Sequence, residues 1–275
     1  MRHYITEEMD RLLEQLTKRH KNAAVNTYPS TERICDFSRQ LMNLLFPEHN
    51  GRAITSEKLL KEAVQDLEGV LEGLLRDIQP ELPVGPAELS RQFMEALPGI
   101  YQDLVQDAEA IHLGDPASPS PYEVIRAYPG FYAIGFYRIA HVLYRLNIPL
   151  LPRIITEFAH AKTGIDIHPS ATIGSHFCID HGTGAVIGET TVIGNYVKIY
   201  QGVTLGAASV DKAMAKSKRH PTIEDYVVIY SGATILGGET TVGHHSIIGG
   251  NVWLIKSVPP YSRIYYKSND VTALT

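Results

Sequence analysis

Ile165-Asp-Ile-His-Pro-Ser-Ala-Thr-Ile-Gly-Ser-His-Phe-Cys-Ile-Asp-His-Gly-Thr-Gly-Ala-Val-Ile-Gly-Glu-Thr-Thr-Val-Ile-Gly194 sets an apolar side chain at a fixed interval. Ile167, Ile173 and Ile179 are six residues apart, an eight-residue step leads to Ile187, and Ile193, Ile199 and Leu205 resume the interval of six. Further on Ile223, Ile229 and Ile235 keep it, as do Val242, Ile248 and Leu254 after a seven-residue step. Glycine often follows directly, as at Gly174, Gly188, Gly194 and Gly206. A β-sandwich alternates every two residues and has no reason to hold a period of six. The hexads fit a solenoid of triangular coils, in which each inward residue stacks on its equivalent in the next coil. No coil buries its apolar face alone, so the repeat implies stacking.

Working outward, the pattern before residue 160 is helical. Leu59, Leu60, Ala63, Val64, Leu67, Val70, Leu71, Leu74, Leu75 and Ile78 recur at three- and four-residue steps, which predicts a helix with one buried face. Gln79-Pro-Glu-Leu-Pro-Val-Gly-Pro86 and Leu113-Gly-Asp-Pro-Ala-Ser-Pro-Ser-Pro121 interrupt that pattern and read as inter-helix loops, because proline removes a backbone donor and restricts its predecessor. The chain therefore divides into a helical domain over 1–160, a solenoid over 161–260 and a tail over 261–275.

The 275 residues, 44% of them hydrophobic, suffice for a substantial core. With 25 basic against 30 acidic residues the formal charge is −5, which gives no electrostatic footprint for nucleic acid. No apolar run is long enough to span a membrane, and Met1-Arg-His-Tyr-Ile-Thr-Glu-Glu lacks the apolar core of a signal peptide, so a cytoplasmic protein is expected. Cys35 and Cys178 are too few and too far apart for a disulfide framework or a zinc motif.

Several motifs resemble, in order, those of the serine O-acetyltransferases, a group within the hexapeptide-repeat acyltransferases. They are Gly130-Phe-Tyr-Ala-Ile-Gly-Phe-Tyr-Arg-Ile-Ala-His141 in the last long helix before the solenoid, Ile165-Asp-Ile-His-Pro169, Ile179 to Thr190, Gln201-Gly-Val-Thr-Leu-Gly206, Arg219-His-Pro221 and Val258-Pro-Pro260. The resemblance implies an α+β chain whose solenoid is a left-handed parallel β-helix. It also implies a homotrimer with active sites between neighbouring subunits, commonly paired into a dimer of trimers through the helical domains. The implied reaction moves an acetyl group from acetyl-CoA to the hydroxyl of L-serine, giving O-acetyl-L-serine for cysteine biosynthesis, with no metal.

A neutral alcohol is a poor nucleophile, so acetyl transfer to a hydroxyl needs a base for its proton. His181 is the candidate: it lies within the eight-residue step between Ile179 and Ile187, where two extra residues push the chain out of the regular wall. Asp166, fifteen residues earlier, is the matching acid that would set its tautomer and stabilise the imidazolium. An α-amino acid presents an ammonium and a carboxylate and calls for acids and a guanidinium fork. By resemblance Asp115 and Asp180 take the ammonium, Arg219 takes the carboxylate and His220 is a second substrate-contacting histidine. Along the coenzyme path the resemblance puts Gly206, Ala207, Ser231 and Gly232, where backbone groups at strand edges would meet the pantetheine amides. Lys212, Lys216 and Lys218 add positive charge for its phosphates.

The chain departs from the family at three places. Gly206-Ala-Ala208 stands where Gly-Gly-Thr is usual, and Ser231 replaces an alanine. It ends Arg263-Ile-Tyr-Tyr-Lys-Ser-Asn-Asp-Val-Thr-Ala-Leu-Thr275 without the terminal isoleucine that some members insert into O-acetylserine sulfhydrylase, which puts that complex in doubt. A rival reading sets His176 and His181, five residues apart, against the paired zinc ligands of γ-class carbonic anhydrases, but His141 falls in a helix and supplies no third ligand.

Overall fold

The computed structural model describes residues 7–23, 28–208 and 217–266. Seven α-helices come first among them: α1 (Glu7–Ala23), α2 (Thr31–Leu45), α3 (Glu57–Arg76), α4 (Pro86–Gly114), α5 (Pro121–Ala127), α6 (Pro129–Arg145) and α7 (Leu151–Thr163). Their starts follow local chemistry. Ser30, Ser56 and Ser120 each accept a backbone N–H of the first turn, and proline opens α4, α5 and α6, where its missing donor costs nothing. The helix expected over residues 59–78 is α3, which buries Leu67, Leu71, Leu74 and Leu75 but leaves Leu59, Leu60 and Val70 exposed. Both proline-rich segments lie between helices, the first forming a short 3-10 turn over Gln79–Glu81. Although α6 carries the Gly130 to His141 motif, it is not the last helix before the solenoid. A break at Asn147 and Leu150, both with positive φ, starts α7, and Gly164 in the left-handed region ends it.

Fourteen short strands then wind into three parallel sheets among the described residues. The first side stacks β1 (Asp166–Ile167), β4 (Val186–Ile187), β7 (Thr204–Gly206), β10 (Thr234–Leu236) and β13 (Trp253–Leu254). The second stacks β2 (Thr172–Ile173), β5 (Val192–Ile193), β8 (Thr222–Ile223) and β11 (Thr241–Val242). On the third are β3 (Cys178–Asp180), β6 (Lys198–Tyr200), β9 (Val228–Ile229), β12 (Ile247–Ile248) and β14 (Arg263–Ile264). The result is a left-handed parallel β-helix of about five turns. Each hexad isoleucine pairs with its equivalent one coil away, as Ile167 with Ile187 and Ile179 with Ile199. Ile187, Ile199, Leu205, Ile229 and Ile235 are at most 1% exposed, each such burial being worth roughly 1.5–3 kcal/mol. The ladder continues through β14, so the residues read as a tail begin inside the solenoid because Ile264 still packs on Ile248.

A polar strap fastens the helices to the first coil. Arg138 on α6 pairs with Asp107 on α4 at 2.5 Å and donates to the Gly174 carbonyl at 2.8 Å, while Asp107 accepts the Phe177 N–H at 2.8 Å. His141 lies 2.8 Å from the Pro169 carbonyl through Nδ1, and the Tyr137 hydroxyl donates to the Ala171 carbonyl. At Gly130 the helix comes so near β3 that a Cβ would overlap the Ile179 carbonyl oxygen. That contact explains why glycine begins the motif.

Candidate active site

The eight-residue step resolves into a specific insertion. Asp180 pairs with Tyr200 in the coil above, while Gly184 stacks under Gly202, and Gly202 under Gly232. The Gly202 N–H donates to Thr183 and the Gly232 N–H to Gln201, which aligns Thr183-Gly184 with Gln201-Gly202 and Ser231-Gly232. His181 and Gly182 are thus the two residues with no counterpart at this corner. Both have positive φ, and His181 projects with 73% of its side chain exposed. Positive φ alone marks nothing here, since His176, Tyr196, Tyr226 and His245 share it at the regular corner between the second and third sides. The insertion is what distinguishes His181.

Around His181 stands an acidic group built from both domains. Asp180 is 3.7 Å from its Nε2. Asp115 caps the end of α4 and accepts the Tyr128 hydroxyl at 2.7 Å and the Ala117 N–H at 2.8 Å. Those two hydrogen bonds, with the charges of Lys198 and His181 nearby, hold its carboxyl below the usual range. Asp115 therefore does cap turn backbone, yet it also faces the solenoid. Asp166 lies one coil below His181, its N–H donating to the Ala185 carbonyl at 2.9 Å. The described side chains of His181 and Asp166 make no hydrogen bond with each other: Asp166 is 3.6 Å from Arg153 on α7. Asp166, Glu157 and His160 could bring donor atoms within 4.8 Å of one another, but Arg153 also pairs with Glu157, so a cation already serves these acids.

Arg219 and His220 occupy the next corner, between the first and second sides. The Thr190 hydroxyl oxygen accepts both of their backbone N–H groups, at 2.9 and 3.0 Å, and the Arg219 guanidinium is paired with Glu189. His220 receives the Thr190 N–H on Nδ1 at 3.1 Å, so its Nε2 carries the proton. Its ring lies against Gly188, where a Cβ would overlap it. Burial, helped by the charge of Arg219, pushes the His220 pKa down to about 4. Because the folded value lies below the ordinary 6.5, the stability gained from a neutral His220 is complete above about pH 6.5 and is lost as pH falls towards 4. Melting temperatures recorded from pH 7.5 to 4.5 are expected to fall less steeply for His220→Gln than for the parent.

Of the coenzyme positions, Gly206 ends β7 and Ala207 follows it at this corner, while Ser231 and Gly232 precede β10 at the His181 corner. The Gly206 carbonyl accepts from Gly237 and the Gly232 N–H donates to Gln201, so these two groups already serve the ladder. Lys218 spends its ammonium on the carbonyls of Thr190, His220 and Pro221 and is not aimed outward. Lys212, Lys216 and the C-terminal residues 267–275, on which the sulfhydrylase expectation rests, lie outside the described residues. His176 and His181 stand on different corners, with β3 between them, and His176 stacks on Tyr196 at 4.1 Å, so they do not form a zinc pair.

Sequence reading missed Tyr128, Glu189, Thr190 and Lys198. Only Glu189 and Thr190 had a signal, since they sit in the quoted Ile179 to Thr190 motif.

A search of family models finds no match. Against curated proteins, the chain is 47% identical over 259 residues to the plasmid-borne serine acetyltransferase of Synechococcus elongatus, covering 86% of this chain and 81% of that one. Among solved structures it superposes on serine acetyltransferase 1 of Entamoeba histolytica, crystallised with L-cysteine, with a TM-score of 0.73 and 36% identity over 87% and 89% of the two chains. The serine acetyltransferase of Neisseria gonorrhoeae, crystallised with serine, gives a TM-score of 0.60 and 29% identity over 82% and 95%. The hexad solenoid, the inserted histidine and a relative of this identity and extent agree: the chain belongs to the serine acetyltransferase family.

Proposed function

We propose that this acetyl-CoA-dependent enzyme acetylates the L-serine hydroxyl by direct attack, with His181 as general base. The observation that carries this reading is the insertion that lifts His181 out of the coil wall beside Asp180 and Asp115. His181 takes the hydroxyl proton as the oxygen attacks the thioester carbon and returns it to the coenzyme A sulfur as the C–S bond breaks, while Asp166 orients the ring and stabilises its cation. Asp166 lies 3.6 Å from Arg153, and this role requires it to reach the His181 ring. Asp115 and Asp180 bind the substrate ammonium; Arg219 and His220 bind its carboxylate.

One chain cannot offer both halves to one serine. His181 and Arg219 stand on corners separated by a full side of the coil, and six residues at ~3.3 Å each span up to about 20 Å, far more than serine. The ammonium half of one copy and the carboxylate half of its neighbour would meet across a trimer boundary, with coenzyme A running past Gly206, Ala207, Ser231 and Gly232. The helical domains would join two such trimers. The product, O-acetyl-L-serine, would serve cysteine biosynthesis in the cytoplasm. Among the described residues no helix is long and apolar enough to cross a membrane.

An acetyl-CoA thiol-release assay with serine, homoserine, threonine and galactosides tests the substrate: serine is expected to be preferred, and a galactoside preference would sink the reading. Arg219→Lys replaces a bidentate fork with a point charge. It is expected to raise the KM for serine by about tenfold or more and to leave that for acetyl-CoA nearly unchanged. An equal effect on both would place Arg219 away from the carboxylate.

A further inference from the structure

We infer that Lys198 is the positioning residue of the ammonium half of the site, fixing both its net charge and the spacing of its two acids. The inference rests on the serine reading above. Lys198 lies on β6, in register with Cys178 on β3. Its Nζ reaches Asp180 Oδ2 at 2.8 Å and the Gly114 carbonyl at 2.7 Å, and sits 4.4 Å from the centre of the Tyr200 ring. Gly114 is the last residue of α4 and precedes Asp115. One ammonium group therefore ties the strand end that carries Asp180 to the helix end that carries Asp115.

This is not a loose surface pair. Only 16% of the Lys198 side chain and 13% of that of Asp180 are exposed, so solvent screens the pair weakly. Burial alone would lower the Lys198 pKa, but the hydrogen bonds to Asp180 and Tyr200 more than offset it and hold the group charged. A cation against the last carbonyls of α4 also suits the helix dipole.

The charge count gives the arrangement its purpose. Asp115 and Asp180 bring two negative charges, and Lys198 cancels one, leaving a single net charge to match a single ammonium. Without Lys198 both carboxylates would lose the cation that lies beside Asp180 and acts on Asp115. Lys198 occupies Oδ2 of Asp180 and leaves Oδ1 on the His181 side. The substrate thus finds an oriented acceptor and does not compete with the lysine for the same atom.

The test uses the full-length protein and Lys198→Met, with Lys198→Arg as the charge-keeping control. Lys198→Met is expected to raise the serine KM by about tenfold, with kcat and the acetyl-CoA KM within about threefold of the parent, and Lys198→Arg to recover most of the loss. A folded Lys198→Met enzyme with the parent's serine KM, an equal rise in both KM values, or an arginine variant no better than methionine overturns the proposal. If Lys198→Met does not fold, Lys198→Gln, which keeps a donor for Gly114, takes its place with the same expectations. If the parent does not acetylate serine, the serine reading fails by itself. Hydrogen exchange of the Ala117 and Ser118 amides, both bonded to Asp115, then decides: faster exchange in Lys198→Met than in the parent supports the tie between Lys198 and this turn, and equal exchange overturns it.

Discussion

His181→Ala is expected to lower kcat by about 10²–10⁴-fold, the usual worth of general-base assistance, while leaving the affinity for acetyl-CoA largely intact. The side chain is 73% exposed, so its removal leaves the fold in place and the loss reads as chemistry. Direct attack forms no acetyl-enzyme, so initial-rate kinetics should require both substrates bound together. Ping-pong kinetics would contradict the mechanism. So would a His181→Ala enzyme that folds, binds acetyl-CoA and still acetylates serine within a factor of about ten of the parent. Asp166→Asn should cost less, since it disturbs orientation and charge without deleting the base.

The largest effect on stability is expected far from that chemistry. Asp107 is fully buried, and it accepts from Arg138 through both carboxylate oxygens and from the Phe177 N–H. Asp107→Ala strands the Phe177 N–H and takes from the buried Arg138 guanidinium its buried counter-ion, leaving it the Gly174 carbonyl and Asp103 at 3.4 Å, a loss of about 3–5 kcal/mol. For a chain of this size that lowers the melting temperature by roughly 10 °C. The double variant Asp107→Leu with Arg138→Met removes the stranded charge and should regain more than half of the loss. Calorimetry on the two variants checks this, and an Asp107→Ala protein that melts with the parent would show that water reaches Arg138. Since the strap anchors the Gly174 to Phe177 corner from which β3 runs to Asp180 and His181, Asp107→Ala should also raise the serine KM.

Much of this was legible in the residues. The six-residue period specified the sides of the coil, because an inward side chain every six positions is the pattern a triangular wall can bury. The one eight-residue step pointed to His181, and the structure narrows it to the His181-Gly182 pair by aligning Thr183-Gly184 with the regular corners above. Less was legible where the pattern carried no period. The helical pattern up to residue 160 did not announce that α7 is separate from α6, which depends on a backbone break at Asn147 and Leu150.

By itself the sequence determined the order of the two domains, the stacking interval and the position of the inserted histidine, because each is written in local spacing or in ordered motifs. Tertiary structure alone decided which charges meet. Lys198 and the Gly114 carbonyl are 84 residues apart, and Asp107 and Phe177 are 70 apart, so neither pairing has a local signature. Both exist because the helical domain docks on the first coils, where low exposure makes an unpaired charge costly and a matched one durable. The separation of His181 from Arg219 by a full side of the coil was equally invisible in the sequence, since it follows from how the coil turns between them.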